Sequence, residues 1–221
     1  MSTTDSGGGT TGNRPSLASQ AYVAIRDMLT SVQISPGDPI NEDQLAKMLG
    51  MGRTPVREAI KRLESERLVI VYPRRGVFAT QVHMSDLSLL GEVRVHLEGE
   101  AAYQAARRAN REQRAEFEQL LVEAGDHGSD LESEIEFDSR VHRAIYRAAH
   151  NPYLESTLEQ YYNLTIRIWH VWANRLPEMA GHVSQLVPVL ESILARDADR
   201  ARELAIGHVT SFQRDMDQAS R

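Results

Sequence analysis

Apolar residues first recur at helical spacing at Leu17, Tyr22 (or Ala21), Ile25 and Leu29, ahead of the turn residues SPGDP at 35–39. This pattern predicts a first helix capped by Ser16 and running to about Thr30. A short second helix follows from Asn41 to Leu49, with Asn41 as N-cap and Leu45, Met48 and Leu49 facing inward. Gly50 to Gly52 makes a tight turn into a third helix from about Thr54 to Arg67. Its buried stripe is Val56, Ile60 and Leu63, and Pro55 suits its first turn, where a missing N–H costs nothing. The period then changes. Leu68 to Tyr72 is short and β-branched, Pro73 to Gly76 is a turn, and Val77 to Thr80 resumes as a strand. No other strand signal appears.

From Asp86 onward every segment reads as helix, with helices predicted near 86–109, 111–125, 130–150, 152–175, 178–195 and 197–218. The breaks fall at Asn110, Asp126-His127-Gly128, Asn151-Pro152, Leu176-Pro177 and Arg196-Asp197. Loops this short imply antiparallel neighbours in a compact bundle. The expected fold is mainly α: a winged helix-turn-helix over 15–80 with a small β-hairpin wing, a linker at 81–85 and an all-helical domain over 86–218. Residues 1–14 are mostly Ser, Thr and Gly and read as a disordered tail. Composition agrees with two packed domains: 221 residues, 41% hydrophobic and 25% charged. The absence of cysteine removes disulfides, thiolate metal sites and cysteine nucleophiles together. No signal peptide, membrane-length apolar run, internal repeat, P-loop or dinucleotide fingerprint is visible, so a cytoplasmic protein without membrane contact is expected.

The net charge of -6 hides a split. Residues 14–83 carry a net of +3 and residues 84–221 a net of -8, as expected if the first segment meets a polyanion. The third helix carries Arg53, Thr54, Arg57, Lys61 and Arg62, and the hairpin tip carries Arg74, Arg75 and Gly76. An arginine near the start of a recognition helix can fork onto guanine O6 and N7 in the major groove, while hydroxyls and the helix N-terminus favour phosphate. An exposed amphipathic helix with solvated arginines is the plain alternative for that helix alone. The run PGDPINEDQLAKMLGMGRTPVREAIKRLESERLVIVYPRRGVF resembles the DNA-binding domain of the GntR family of bacterial regulators, most diagnostically at RTPVREA, 53–59. The resemblance implies that Arg53 and Arg57 read base edges, Thr54 contacts phosphate, and Arg75 with Gly76 forms the wing contact. Asp43-Gln44 stands where many relatives place an arginine.

In the helix over 130–150 the inward stripe is Leu131, Ile135, Asp138, His142, Ile145 and Ala149. Asp138 and His142, four apart, lie one above the other on the buried face. A buried carboxylate needs a partner, and a shared cation satisfies more of it than one histidine does. His208 falls on a stripe with Ala205, Val209, Phe212 and Met216, and His182 on one with Met179, Val183, Leu186 and Leu190. Imidazoles and a carboxylate converging inside a bundle suit a divalent metal: zinc first, with nickel or manganese as alternatives. A lone inward histidine, however, is more often a hydrogen-bonded core residue. VRVHLEGEAA at 93–102, FDSRVHRAIYRAAHNPYL at 137–154 and ARDADRARELAIGHV at 195–209 resemble the all-helical sensor domain of the FadR-type branch of the same family, the FCD domain. That resemblance implies a metal held by one Asp and three His, which here means Asp138, His142 and His208. The family's remaining histidine falls at Leu186, with His182 one helical turn earlier. Three readings stay open: His182 ligates from a shifted helix, only three protein ligands serve, or no metal binds.

Arg94 lies on the apolar face of its helix beside Leu90, Val93 and Leu97. A buried guanidinium wants a carboxylate and binds one bidentately. Arg94 is therefore expected to hold the carboxylate of a small organic acid effector, against the alternative of a structural pair with Glu98. Asn163, Arg167, Trp169, His170 and Trp172 are candidates to line the same cavity. The whole chain reads as a ligand-responsive regulator, a repressor in the leading version and an activator in the alternative, binding a two-fold double-stranded DNA operator as a homodimer. A metal-dependent enzyme on the bundle, or a DNA-binding protein without ligand control, are the competing classes. No general base is well placed for an enzyme. On the leading reading, Arg57→Ala costs about 1–3 kcal/mol of operator affinity and blurs base preference; equal loss on all sequences would make Arg57 a phosphate anchor only. Binding also weakens with salt at a log–log slope of about -0.9 per phosphate contact, measurable by titration at several ionic strengths.

Overall fold

The computed structural model describes residues 15–125, 130–172 and 182–219. The expected tail at 1–14, the break at 126–128 and the Leu176-Pro177 break lie outside them. The chain is mostly helical and builds two separate apolar cores, one for the winged helix and one for the helical bundle. Helix α1 (Leu17–Thr30) starts at Ser16, whose Oγ accepts the Ser19 N–H at 3.1 Å, satisfying one of the open N-terminal donors. Ala21, Tyr22, Ile25 and Leu29 are buried, but Leu17 at the helix start lies beyond the edge of the core and is exposed. Helix α2 (Glu42–Met48) is capped by Asn41, whose Oδ1 accepts from the N–H groups of Asp43 and Gln44. At seven residues it buries only Leu45 and Ala46. Met48, 200° further round than Ala46, is exposed rather than inward-facing, and Leu49 is half-buried. Helix α3 (Arg53–Ser65) buries Val56, Ala59, Ile60 and Leu63.

The wing is a three-stranded antiparallel sheet, β1 (Pro39–Ile40), β2 (Val69–Tyr72) and β3 (Gly76–Ala79), in the order β1-β3-β2. Ile40 pairs with Val77, and Ile70 with Phe78. Strand β1 corrects the two-stranded expectation. Its two residues begin with a proline, which can serve on a sheet edge but gives no strand pattern in sequence. At the hairpin tip the Arg75 N–H bonds Tyr72 O, with Pro73 in the first central position and Arg74 at φ +64° in the second. That second position needs positive φ, which a non-glycine residue adopts at a cost.

The bundle consists of α4 (Met84–Arg108), α5 (Arg111–Glu123), α6 (Leu131–Ala148), α7 (Pro152–Trp172), α8 (Leu186–Leu194) and α9 (Ala198–Ala219). Helix α4 starts two residues before the expected Asp86. Of the single helix expected over 178–195, residues 178–181 lie outside the described residues; from His182, in a turn, the chain forms a 3-10 turn at Val183–Gln185 followed by α8. Pro188 is the reason: it lacks the N–H that a continuous helix would need and is tolerated only in a first turn. Helices α4 and α9 approach closely over Gly91 and Gly99. A Cβ at Gly99 would lie 2.8 Å from Ile206 Cγ1, and one at Gly91 would strike the Gln213 amide that reaches Leu87 O and Ser88 O. Val93, expected on the inner face, is exposed, while Arg94 and Glu98 are buried.

Gly99→Val therefore overpacks the α4–α9 contact and is expected to destabilise the bundle by about 1–3 kcal/mol. The check is a lower urea midpoint at unchanged slope.

Candidate functional site

Two regions carry chemistry. On α3 the side chains of Arg53, Thr54, Arg57 and Lys61 are all exposed, as are Arg74, Arg75 and Gly76 at the hairpin tip. Arg57 Nε donates to Glu42 Oε2 at 2.7 Å, and Arg53 Nε pairs with Asp43 Oδ1 at 2.7 Å. Both arginines are thus held at Nε by neighbouring carboxylates of α2. Arg62, on the same helix, serves the fold: its Nε donates to Glu66 Oε1 at 2.9 Å and its guanidinium stacks on Tyr22. Tyr22 OH donates to Glu66 Oε2 at 2.7 Å. Burial, then the Glu66 hydrogen bond, pushes the Tyr22 phenol up to about 12.

Inside the bundle, α6 presents Asp138 and His142, α9 presents His208, and the turn before α8 presents His182; all four are buried. His142 Nε2 lies 3.7 Å from Asp138 Oδ2 and 3.2 Å from His208 Nε2. His182 Nε2 and His208 Nε2 lie 3.8 and 3.6 Å from Asp138 Oδ1. Asp138 Oδ1 accepts no hydrogen bond, although it is sealed from solvent. Its partner oxygen, Oδ2, accepts from Tyr162 OH at 2.5 Å. Ligand-type atoms of Asp138, His182 and His208 all lie within 4.8 Å of one another, close enough to hold a metal ion. His182 joins the cluster from its short turn, one helical turn before Leu186. The histidine–Asp138 spacings exceed a hydrogen bond, and His142 Nε2 is within hydrogen-bond reach of His208 Nε2; all of them suit atoms that share one central cation. Among the buried groups, the Nδ1 atoms of His182 and His208 are also without partners.

A second layer surrounds the cluster. Glu98 is the hub: Oε2 faces His142 Nδ1 at 3.1 Å, while Oε1 accepts from Arg94 Nη2 at 2.5 Å and Tyr146 OH at 2.6 Å. Burial raises the Glu98 carboxyl, but His142 and Arg94 outweigh it and hold it down at about 2. Burial raises Asp138 likewise, and the imidazoles of His142, His182 and His208 bring it well below the usual carboxylate range. Burial lowers His142, but the carboxylates of Glu98 and Asp138 raise it further, for a net increase. His182 and His208 are lowered, chiefly by burial. The Glu98 contact favours a proton on His142 Nδ1 and a lone pair on Nε2, as ligating histidines require.

The adjoining cavity is lined by Arg94, Tyr162, Thr165, Trp169 and Phe212 as well as the cluster, and its free volume of about 10 Å³ is water- or ion-sized. Arg94 lines it, but is engaged by Glu98 and by Thr165 Oγ1 at 3.0 Å, the structural pairing weighed above. Asn163 accepts from Arg143 Nη2 at 3.2 Å and does not line the cavity. Arg167 points away from it altogether, into the junction with the winged domain, where its Nη2 donates to Thr80 O at 2.8 Å. Of the aromatic candidates only Trp169 lines the cavity; His170 Nδ1 instead faces Ile166 O. Glu98, Tyr146 and Tyr162 were not singled out as site residues by sequence reasoning. Tyr146 could have been, since it continues the 138–142 stripe by one more turn. Tyr162 carried no such signal.

Known proteins align with both halves. Residues 17–79 match the bacterial regulatory proteins of the gntR family, and residues 90–211 match the FCD domain. The chain is 30% identical over 143 residues to YdhC, an HTH-type transcriptional regulator of Bacillus subtilis (strain 168), covering 63% of this chain and 64% of that protein's length. It is 29% identical over 188 residues to the Nta operon transcriptional regulator of Aminobacter aminovorans, covering 82% and 86% of the two chains. The structure of E. coli McbR/YncC shares the fold, with a TM-score of 0.82, 24% identity and coverage of 94% and 100%. Among the described residues no helix is long and apolar enough to cross a membrane. With an N-terminal gntR-type winged helix joined to an FCD domain, the chain belongs to the GntR family of DNA-binding transcriptional regulators.

Proposed function

We propose that this regulator is a cytoplasmic repressor that binds a two-fold operator as a homodimer and is controlled by a small carboxylate acting at a divalent metal ion in the bundle. The observation that carries the metal reading is Asp138 Oδ1, a buried carboxylate oxygen with no donor and with two histidine Nε2 atoms within 3.8 Å. The ligands would be Asp138, His142, His182 and His208, with zinc the first choice and nickel or manganese suited to the same donors. Bound there, the ion would supply a Lewis-acidic position for a carboxylate. The protein meets the cluster's demand for positive charge by raising the proton affinity of His142, and metal binding displaces such protons.

DNA reading is assigned to Arg53, Thr54, Arg57 and Lys61 on α3 and to Arg74, Arg75 and Gly76 on the wing, a division supported by their common exposure. Effector binding is assigned to Arg94 beside the ion. The cavity's free volume of about 10 Å³ leaves no room for an organic acid, so entry would displace lining side chains such as Trp169 and Phe212. Such a difference between the present and the filled arrangement is what an effector needs in order to shift an equilibrium. Asn163 and Arg167 are set aside as effector ligands, because Arg143 engages the first and the winged domain engages the second.

Elemental mass spectrometry of protein purified without chelator is expected to find about one metal ion per chain, sharply reduced in His142→Ala. No metal after incubation with zinc, nickel and manganese would overturn the assignment. Stripping the ion is expected to lower the melting temperature, because a ligand held only by the native state stabilises it by RT ln(1 + [L]/Kd). Calorimetry before and after chelation and metal return checks the shift.

A further inference from the structure

Helix α7 works on two faces. Tyr162, Thr165, Ile166 and Trp169 turn toward the metal-type cluster, at spacings that keep them on one side. Gln160, Leu164, Arg167 and Ile168 turn toward a groove of about 570 Å³ whose far wall is the winged domain. Leu164 packs against the winged-helix core. Arg167 goes further and is 1% exposed. Its Nη1 donates to Leu68 O at 3.3 Å and Thr80 Oγ1 at 2.7 Å, and its Nη2 donates to Thr80 O at 2.8 Å.

Those acceptors form the stem of the wing. Thr80 N–H bonds Leu68 O at 3.1 Å, and Thr80 Oγ1 donates to Arg67 O at 2.9 Å, closing the base of the β2–β3 hairpin. The other end of that hairpin is the tip with Arg74, Arg75 and Gly76. Among the described residues no carboxylate lies within ion-pair distance of Arg167 and its Nε has no partner; burial pulls the guanidinium down to about 10. A buried cation compensated only by neutral oxygens is a poor source of stability, since its desolvation is incompletely repaid. Its planar fork, however, fixes direction as well as distance. A helix that touches the cluster on one side and grips the wing stem on the other joins the two through one rigid element.

We infer that Arg167 is a positioning residue for DNA binding: it fastens the wing stem to α7, so that the wing's occupancy by DNA and the state of the buried cluster influence one another. Coupling of this kind is reciprocal, so it can be read from the DNA side without knowing the effector or depending on the metal.

The experiment is hydrogen exchange by mass spectrometry on the full chain, with and without a duplex enriched by this protein from a random-sequence pool. Wild type, Arg167→Met and Thr80→Val are compared. In the wild type, the duplex is expected to protect residues 53–62 by contact and to change exchange across 161–169. Arg167→Met is expected to keep the first response and lose the second. Thr80→Val, which removes one of the three acceptors while leaving the arginine in place, is expected to reduce the second. It serves as the deciding variant if Arg167→Met does not fold. An equal response at 161–169 in the folded variants, or none in the wild type, overturns the inference. Absence of protection at 53–62 would instead remove the DNA-reading role of α3, and the inference would fall with it.

Discussion

Asp138 has almost no access to water, and that single constraint organises the interior of the sensing domain. A buried carboxylate must be compensated from within the protein. Here one oxygen takes the Tyr162 hydroxyl, while the other faces imidazoles from an adjoining helix and a turn. Meeting that demand brings α6, α7, α9 and the turn before α8 to one point. Glu98 then sets the next layer, because its carboxylate ties Arg94 and Tyr146 to His142 and orients the ring. The polar network is continuous from α4 to α9, which makes it costly to satisfy in part.

Helix α7 carries that arrangement to the surface of the second domain. The same residue spacing that places Tyr162 and Trp169 in the cavity places Leu164 and Arg167 on the winged helix. Close packing of α4 on α9 over Gly91 and Gly99 gives the bundle a stiff spine against which α7 bears. Domain contact is therefore made by a helix already engaged by the buried cluster, and not by the linker alone.

Local patterns in the sequence were enough to read the architecture. Stripes such as Val56–Ile60–Leu63 and the switch to β-branched residues at Leu68–Tyr72 reflect interactions within one element, which spacing records directly. The Asp138–His142 pair was legible for the same reason. Strand β1 was not, since two residues beginning with proline have no period to detect. The start of α8 was set by Pro188 rather than by the apolar stripe that runs through His182. Arg167 was placed with the effector because its neighbours on α7 do face the cavity. Only the position of the winged domain, a contact between residues nearly a hundred apart, decides which way its side chain goes.

The pairing of Arg53 with Asp43 and of Arg57 with Glu42 has a consequence for how the protein finds its site. On the DNA-reading role proposed for Arg53 and Arg57, a duplex of arbitrary sequence, which offers mainly phosphates, would meet two guanidiniums that already have carboxylate partners. Loose, sequence-blind attachment would be weakened accordingly, and each visit to the wrong stretch of DNA shortened. A guanine edge would be met by the terminal nitrogens, whereas both recorded carboxylate contacts are at Nε. On that role, the acidic first turn of α2 would trade residence time on the genome at large for faster turnover between sites, with the search spent on many brief encounters.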